Sequence, residues 1–567
     1  MKLFNHTFTR RAREASSHEI VPEDVFLDSQ NLSRLNLHQM EGQLEKPLGR
    51  HVFYILIGVV VIILFGFTYQ LFSMQIIDEK IYTEKADKNH LRTTPLFALR
   101  GTISDRKGEL LAWNTTGTST SLTEIPKRFY TTTSGFSHVL GYVSYPKKDE
   151  SNIFWQEAYL GKDGLEKQYQ EKLQGKIGER IIAVDVYNKI EAENVTTKPI
   201  DGENITLTID KEVQAKLYSA IESLANRAGF TAGAGVIMDV NNGEILALTN
   251  YPEYDNNLLT NAETKEENEK VKRDLLDKNN KFLNRAVGGL FTPGSTVKPF
   301  IAIGALMEGI ISPEKNIYSS GQLVIKNKYG GPDSVFKDWK AHGYVDMRKA
   351  LAVSSDEYFY QVGGGYMDQL GLGILRIDKY ANLFGFATTT GIDLPGENYG
   401  VIPTPEWKKK IFGTDWLLGN TYHTAIGQYG FQITPVELVR AVASLANGGF
   451  LVTPHVLLGN VSKKISLNLS NKDMQIIQEG MRQGVTDGIG GVLNISGVKV
   501  ASKSGTAELG VKKTLVNSWI SGFFPYDNPK YAFVVIMEKG SRSNSHGAVF
   551  AMKDLLEWMV GNTNYTK

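Results

Sequence analysis

The sequence predicts an α+β protein carried on one N-terminal transmembrane helix, with a β-containing module between the anchor and a larger C-terminal domain. Three observations predict it. From His51 to Ile77 no residue is charged, and Val52 to Phe72 is almost wholly apolar, long enough to span a bilayer as one helix. After Ile205 the apolar pattern runs strand, amphipathic helix, paired strands, a mostly helical middle and closing strands, an α+β order. The chain is 567 residues long, room for three or four domains on a soft length prior.

Composition narrows the classes. Sixty-two Lys and Arg stand against 61 Asp and Glu, so no basic excess points to nucleic acid, and no Walker-type loop is present. There is no cysteine, which excludes disulfides and thiolate metal sites. A scattered His/Asp/Glu zinc site stays open, but no H-E-x-x-H spacing supports one, and no metal or cofactor is assigned.

The apolar run lacks the short core, basic leader and small-residue cleavage site of a signal peptide. It reads as an uncleaved single-pass anchor. Arg34, Lys46 and Arg50 flank one side and Lys80, Lys85, Lys88 and Arg92 the other, so the positive-inside count does not set the orientation. Residues 1–50 are mixed-charge and read as a disordered or partly helical cytoplasmic tail.

Beyond the anchor, Asp105 to Gly108 reads as a turn between two extended segments of Arg100–Ala112. Leu165, Tyr169 and Leu173 recur at helical spacing as one apolar face. Residues 78–204 are thus a structural module. From 205 onward come a strand at Ile205–Ile209, an amphipathic helix over Gln214–Ala225, and strands around Gly235–Val240 and Gly243–Leu248. Asn241-Asn242-Gly243 between those strands is a hairpin turn. The closing strands are Val498–Thr506, Asn517–Phe524 and Tyr531–Met537.

The chemistry gathers at Phe291-Thr-Pro-Gly-Ser-Thr-Val-Lys-Pro-Phe300. Ser295 and Lys298 lie three apart at the start of an apolar helix, with Pro299 tolerated in its first turn. That spacing puts both on one face, where the amine can meet the hydroxyl and, if kept neutral, take its proton. A helix N-terminus also offers unpaired N–H groups to a developing oxyanion. The pattern S-x-x-K occurs six times, at Ser104, Ser144, Ser295, Ser312, Ser334 and Ser496, and most such serines are caps or surface residues. Ser295 differs in having Pro-Gly before it, a buried helix after it, and two further motifs downstream. These are Ser354-Ser-Asp356 and Lys503-Ser-Gly-Thr506, and the Lys503 strand is expected to line a cleft whose floor is the Ser295 helix.

The order S-x-x-K, S-x-[N/D], K-[S/T]-G marks penicillin-binding proteins and serine β-lactamases. With Arg100–Ala112, Gly161–Gly175, Asn284-Arg-Ala286, Thr390–Glu397 and Gly427–Pro435, the chain resembles the class B penicillin-binding proteins over nearly everything after the anchor. Ser354-Ser-Asp-Glu-Tyr-Phe-Tyr360 with Lys503-Ser-Gly-Thr-Ala507 is most similar to the elongation-specific, penicillin-binding protein 2 type. The resemblance implies a β-lactamase-like transpeptidase domain over 205–567 on a pedestal (dimerisation-type) module over 78–204. It implies a single-pass protein of the cytoplasmic membrane with its catalytic domain outside, cross-linking peptidoglycan stem peptides that end in D-Ala-D-Ala and acylated by β-lactams. Ser295 would be nucleophile, Lys298 base, and Ser354 with Lys298 the proton route to the leaving group. Lys503 and Thr506 would hold the substrate carboxylate, Ser504 would also be a substrate-binding residue, and the N–H groups of Ser295 and Thr506 would form the oxyanion hole. The implied partners are a glycosyltransferase of the shape, elongation, division and sporulation (SEDS) type and elongation-complex proteins.

Two expectations concern single residues. Gly505 is expected to leave room for an extended peptide pairing with the strand. Asp356 is expected to turn toward backbone donors or the substrate amide and position the substrate, because an ionised carboxylate beside Lys298 would favour the charged amine. One departure from the family pattern is Gln428-Tyr429, where Gln-Gly is common. Rival readings are a division-specific transpeptidase, a β-lactam-sensing scaffold without turnover, and a class D-like β-lactamase. The intact nucleophile, base and strand lysine speak against the scaffold, and the anchor and pedestal against the lactamase.

Overall fold

A computed structural model describes residues 50–115, 125–150, 154–184, 190–328 and 330–567. The reading of residues 1–50 as a tail therefore lies, but for Arg50, outside the described residues. The chain divides into two units, the first ending at His90 and the second spanning Leu91–Lys567.

In the first unit a helix over Arg50–Phe72 continues through a π-helical turn, Ser73–Ile77. His51–Ile77 is long and apolar enough to cross a membrane. Its Ile, Val, Leu and Phe side chains are exposed on all sides.

The second unit begins with the pedestal. The turn expected at Asp105–Gly108 closes there, Gly108 N–H donating to Asp105 O at 3.0 Å. It joins Ile103–Ser104 to Leu110–Thr115 in an antiparallel pair. Lys127–Tyr130 extends that sheet on one side, and Ile205–Thr206 pairs parallel to Ile103–Ser104 on the other. The Leu165/Tyr169/Leu173 face exists, but on two short helices, Gly164–Gln168 and Gln170–Gln174, rather than one. They part at Tyr169, whose hydroxyl donates to Asp393 Oδ2 at 2.7 Å and ties the pedestal to the C-terminal domain. Beneath lies a fully buried triad in which Glu166 bridges Arg100 Nε at 2.5 Å and Arg128 Nε at 2.8 Å. Burial pushes the Glu166 carboxyl up, but the two guanidiniums carry it below its usual range.

The C-terminal domain is built on one five-stranded sheet. Its strands are β1 (Ala232–Asp239), β2 (Ile245–Tyr251), β3 (Ala501–Leu509), β4 (Leu515–Phe524) and β5 (Tyr531–Ser541), in the order β2-β1-β5-β4-β3, antiparallel throughout. The central strands are apolar on both faces, Tyr531–Met537 being buried at every position, because helices cover both sides. One face carries the amphipathic helix Lys211–Ala228 and the helix Ala548–Asn562. The amphipathic helix exceeds its expected span because Asp210 caps its start, accepting from Glu212 and Val213 N–H, and left-handed Gly229 ends it. Leu217, Ile221 and Leu224 on its inner face are fully buried, each contributing roughly 1.5–3 kcal/mol. Against the other face lies Pro435–Ala446, buried along its whole length. Beyond it sits the helical half of the domain, which carries the nucleophile helix Lys298–Met307 and the helices Met347–Val353 and Asp356–Gly364.

Candidate active site

Ser295 lies in a 3-10 turn, Gly294–Val297, that runs directly into Lys298–Met307 with Pro299 in the first turn. As the second residue of that turn, its N–H has no intrahelical acceptor. The turn is wedged from several directions. Gly294 N–H donates to Gly427 O at 3.0 Å, and Trp519 Nε1 donates to Thr292 O at 3.0 Å. Gly294 has a φ of +55°, and a Cβ there would stand 2.7 Å from Thr506 O on β3. Only glycine allows both the conformation and the approach.

β3 passes beside the turn, as expected, but for a different reason at Gly505. A Cβ on Gly505 would come within 2.8 Å of Pro293 O and of Thr296 Cγ2. The missing side chain thus makes room for the turn that bears the nucleophile, not for a peptide on the strand. This corrects the expectation for Gly505, whose missing side chain faces Pro293 and Thr296. Thr506 is exposed at the rim, and its carbonyl accepts from Gln428 Nε2 at 3.3 Å. Ser504 is half-buried, its carbonyl accepting from Lys503 Nζ at 2.9 Å.

The Ser354 segment joins the two lysines. Ser354 closes the helix Met347–Val353 in the left-handed region, at φ +59°, a conformation costly for a non-glycine residue and concentrated at functional sites. Its Oγ accepts from Lys503 Nζ at 2.8 Å and from Lys298 Nζ at 3.4 Å, and its carbonyl accepts from Lys298 at 2.9 Å. Both lysine amines thus converge on this one hydroxyl, which can accept twice and still donate its proton. Burial, then the neighbouring charge of Lys298, holds Lys503 well below the usual lysine range, against a smaller opposing pull from Asp356.

Asp356 is where the structure overturns the sequence expectation. It is the first residue of the helix Asp356–Gly364, and its Oδ1 lies 2.6 Å from Lys298 Nζ. The physical reason is the hydrogen-bond count: Lys298 is fully buried, faces the Phe359 ring at 5.4 Å, and needs acceptors for its amine hydrogens. Ser354 O, Ser354 Oγ and Asp356 provide three. No hydrogen bond joins Ser295 to Lys298 among the described residues, so the expected meeting of hydroxyl and amine is not made at rest.

A residue that the motifs do not mark holds this segment in place. The Asp338 side chain is buried and accepts from Ser355 Oγ at 2.8 Å, Glu357 N–H at 2.9 Å and, at 3.5 Å, Ser319 Oγ. Next to it, Trp339 Nε1 donates to Val353 O at 3.3 Å. The pair clips Ser354–Asp356 from both ends. Its only sequence signal is an Asp-Trp dipeptide in a loop. Among the described residues no three His, Asp or Glu side chains gather to hold a metal ion.

A family model described as the penicillin-binding protein transpeptidase domain matches residues 233–557, and one described as the penicillin-binding protein dimerisation domain matches 118–207. The first spans more than half of the chain, and the chain belongs to the penicillin-binding protein transpeptidases. Within them it is similar to the elongation-specific, penicillin-binding protein 2 type. A peptidoglycan D,D-transpeptidase MrdA of Haemophilus influenzae is 31% identical over 75% of this chain and 68% of its own. The MrdA of Acinetobacter baumannii is 29% identical over 89% and 87%. Among solved structures, Helicobacter pylori penicillin-binding protein 2 in complex with MreC superposes with a TM-score of 0.68 at 27% identity, over 83% of this chain and 99% of that one. A peptidoglycan synthase complex in which polymerisation and cross-linking are coordinated gives 0.71 at 26% identity, over 91% and 99%.

Proposed function

We infer that the protein is a peptidoglycan D,D-transpeptidase of the elongation type, working through a serine acyl-enzyme. The observation that carries this reading is the meeting of Ser295's turn, Lys298, Ser354 and Lys503 at one cleft in a chain whose relatives bear that activity's name.

In this reading Ser295 Oγ attacks the carbonyl between the two terminal D-alanines while Lys298 Nζ takes its proton. In the reacting state the Lys298 amine donates its two hydrogens to Ser354 O and Asp356 Oδ1 and turns its lone pair to Ser295. The N–H groups of Ser295 and Thr506 hold the oxyanion. Collapse breaks the C–N bond, and the departing D-alanine nitrogen takes the proton from Lys298 through the Ser354 hydroxyl. Lys503, Ser504 and Thr506 receive the terminal carboxylate. An amine from a neighbouring stem then attacks the ester and regenerates Ser295. A β-lactam enters at the first step and stays. Asp356 is assigned to Lys298 rather than to the substrate.

Residues 51–77 would anchor the protein in the cytoplasmic membrane, with 1–50 inside and the pedestal (78–204) and transpeptidase domain (205–567) outside. Glycan strands would be supplied by a SEDS-type glycosyltransferase, and MreC-like elongation proteins would meet the pedestal. Depletion in the source cell tests the role: rounding supports elongation, whereas filaments would make the division reading correct. A purified protein that polymerised lipid-linked precursor unaided would contradict the need for a partner.

A further inference from the structure

Gln428 leans on the rim of the cleft, and the next residue leads away from it onto an aromatic wall. Tyr429 sits at φ +59°, a backbone region that bulky residues rarely enter. Its ring meets the edge or face of two indoles, Trp416 at 5.7 Å and 87°, Trp407 at 6.2 Å and 74°. Trp407 packs over Gly430, where a Cβ would stand 2.4 Å from the indole. The loop bearing Trp416 is fixed from below by buried Lys408, which reaches Asp415 O and, at 2.9 Å, Asn420 Oδ1. Trp416 Nε1 is itself satisfied by Thr421 Oγ1 at 2.8 Å. Beside this wall opens a cavity of about 620 Å³, lined by Pro405, Glu406, Lys409, Lys410, Asp415 and Trp416. Exposed Phe412 and Leu417 continue the apolar surface.

We propose that the wall formed by Trp407, Trp416 and Tyr429, with its adjoining cavity, is a binding site for a sugar of the glycan strand whose stem peptide lies in the cleft. The inference rests on the transpeptidase reading. Three arguments support it. The site is continuous with the cleft: Gly427 is hydrogen-bonded to the nucleophile turn, and Tyr429 is two residues on, within about 8 Å by chain geometry. A four-residue stem extended at about 3.3–3.6 Å per residue spans roughly 13–14 Å, more than the roughly 8 Å of chain between Gly427 and Tyr429, so a stem acylated at Ser295 is long enough for its sugar to reach the wall. The chemistry also matches, because a pyranose has an apolar C–H face and a polar rim. The cavity correspondingly pairs an indole with Glu406, Lys410 and Asp415. Finally, a backbone conformation that disfavours tyrosine is retained next to a substrate cleft, where strain is expected to serve function.

The test uses the full-length protein in detergent with peptide-free glycan strands of alternating N-acetylglucosamine and N-acetylmuramic acid. Binding is read by tryptophan fluorescence and calorimetry for wild type, Trp416→Leu and Tyr429→Gly, and acylation by a fluorescent penicillin reports separately on Ser295. Saturable binding by wild type, weakened tenfold or more in both variants, with Tyr429→Gly melting no lower than wild type, is the expected result. The proposal is overturned if strands do not bind wild type that penicillin acylates, if the variants bind equally, or if Tyr429→Gly melts lower, which would make the ring a packing element. Loss of a membrane partner in the variants with glycan binding intact would mark the wall as a protein-docking face and also overturn it. Absence of penicillin acylation in wild type would instead count against the transpeptidase reading itself.

Discussion

Lys298 Nζ and Asp356 Oδ1 lie 2.6 Å apart, joined across 58 residues of chain, with the lysine fully buried and the carboxylate one-fifth exposed (20%). That contact fixes where the amine of the base points, so Asp356 is expected to position Lys298 rather than the substrate. Asp356→Ala should slow penicillin acylation about 100-fold, and Asp356→Asn, which keeps one acceptor oxygen, should restore part of the rate. The second-order acylation rate of the two variants checks this, and a rate in Asp356→Ala equal to wild type would return Asp356 to a substrate-positioning role.

Lys503 is a cation held where its charge is disfavoured by burial and by Lys298. Its folded pKa lies below the unfolded value of 10.5, so above the folded value the unfolded chain binds more protons, and stability from this group rises with pH up to about 10.5. Lys503→Met should flatten that alkaline rise while slowing acylation about 100-fold or more, because Ser354 Oγ loses its donor. Urea melts across the alkaline range would decide it; a slope equal to wild type would show that the lysine's burial carries no such cost.

Gly505→Ala tests the packing of β3 against the nucleophile turn. The new Cβ would meet a backbone oxygen at 2.8 Å, which cannot swing aside as a flexible side chain would. Overpacking of about 1–3 kcal/mol is expected. A displacement of the turn by about an ångström would cost about 100-fold in acylation. A variant acylated like wild type would mean that the turn yields freely.

Asp338 is expected to act at a distance from the substrate. Asp338→Ala strands the Glu357 N–H and Ser355 Oγ, a cost of about 1–3 kcal/mol, and lets the Ser354 segment relax. Acylation should fall, with Asp338→Asn restoring part of it by keeping one acceptor oxygen. If both variants melt lower but acylate normally, the clip serves stability alone.

Much of the fold was legible in the sequence because its signals are local. An uncharged run marks the long apolar helix, Asn241-Asn242-Gly243 marks a hairpin, and short apolar runs mark the closing strands. The motif serines and lysines were legible as types at fixed spacings. What the sequence hid depends on where side chains point after distant segments meet. Asp356's choice of Lys298, the packed face of Gly505, the Asp338 clip and the Arg100–Glu166–Arg128 triad all join residues far apart in the chain. The break at Tyr169 was hidden for the same reason, since its partner Asp393 lies 224 residues away.

The central claim is that Ser295 is the nucleophile of this cleft, and intact-protein mass spectrometry after incubation with a fluorescent penicillin tests it most directly. Wild type should gain one penicillin mass, mapped by digestion to the peptide bearing Ser295. Ser295→Ala should gain none while melting at the wild-type temperature. Label retained by Ser295→Ala, or mapped in wild type to any of the other five S-x-x-K serines, would contradict the account.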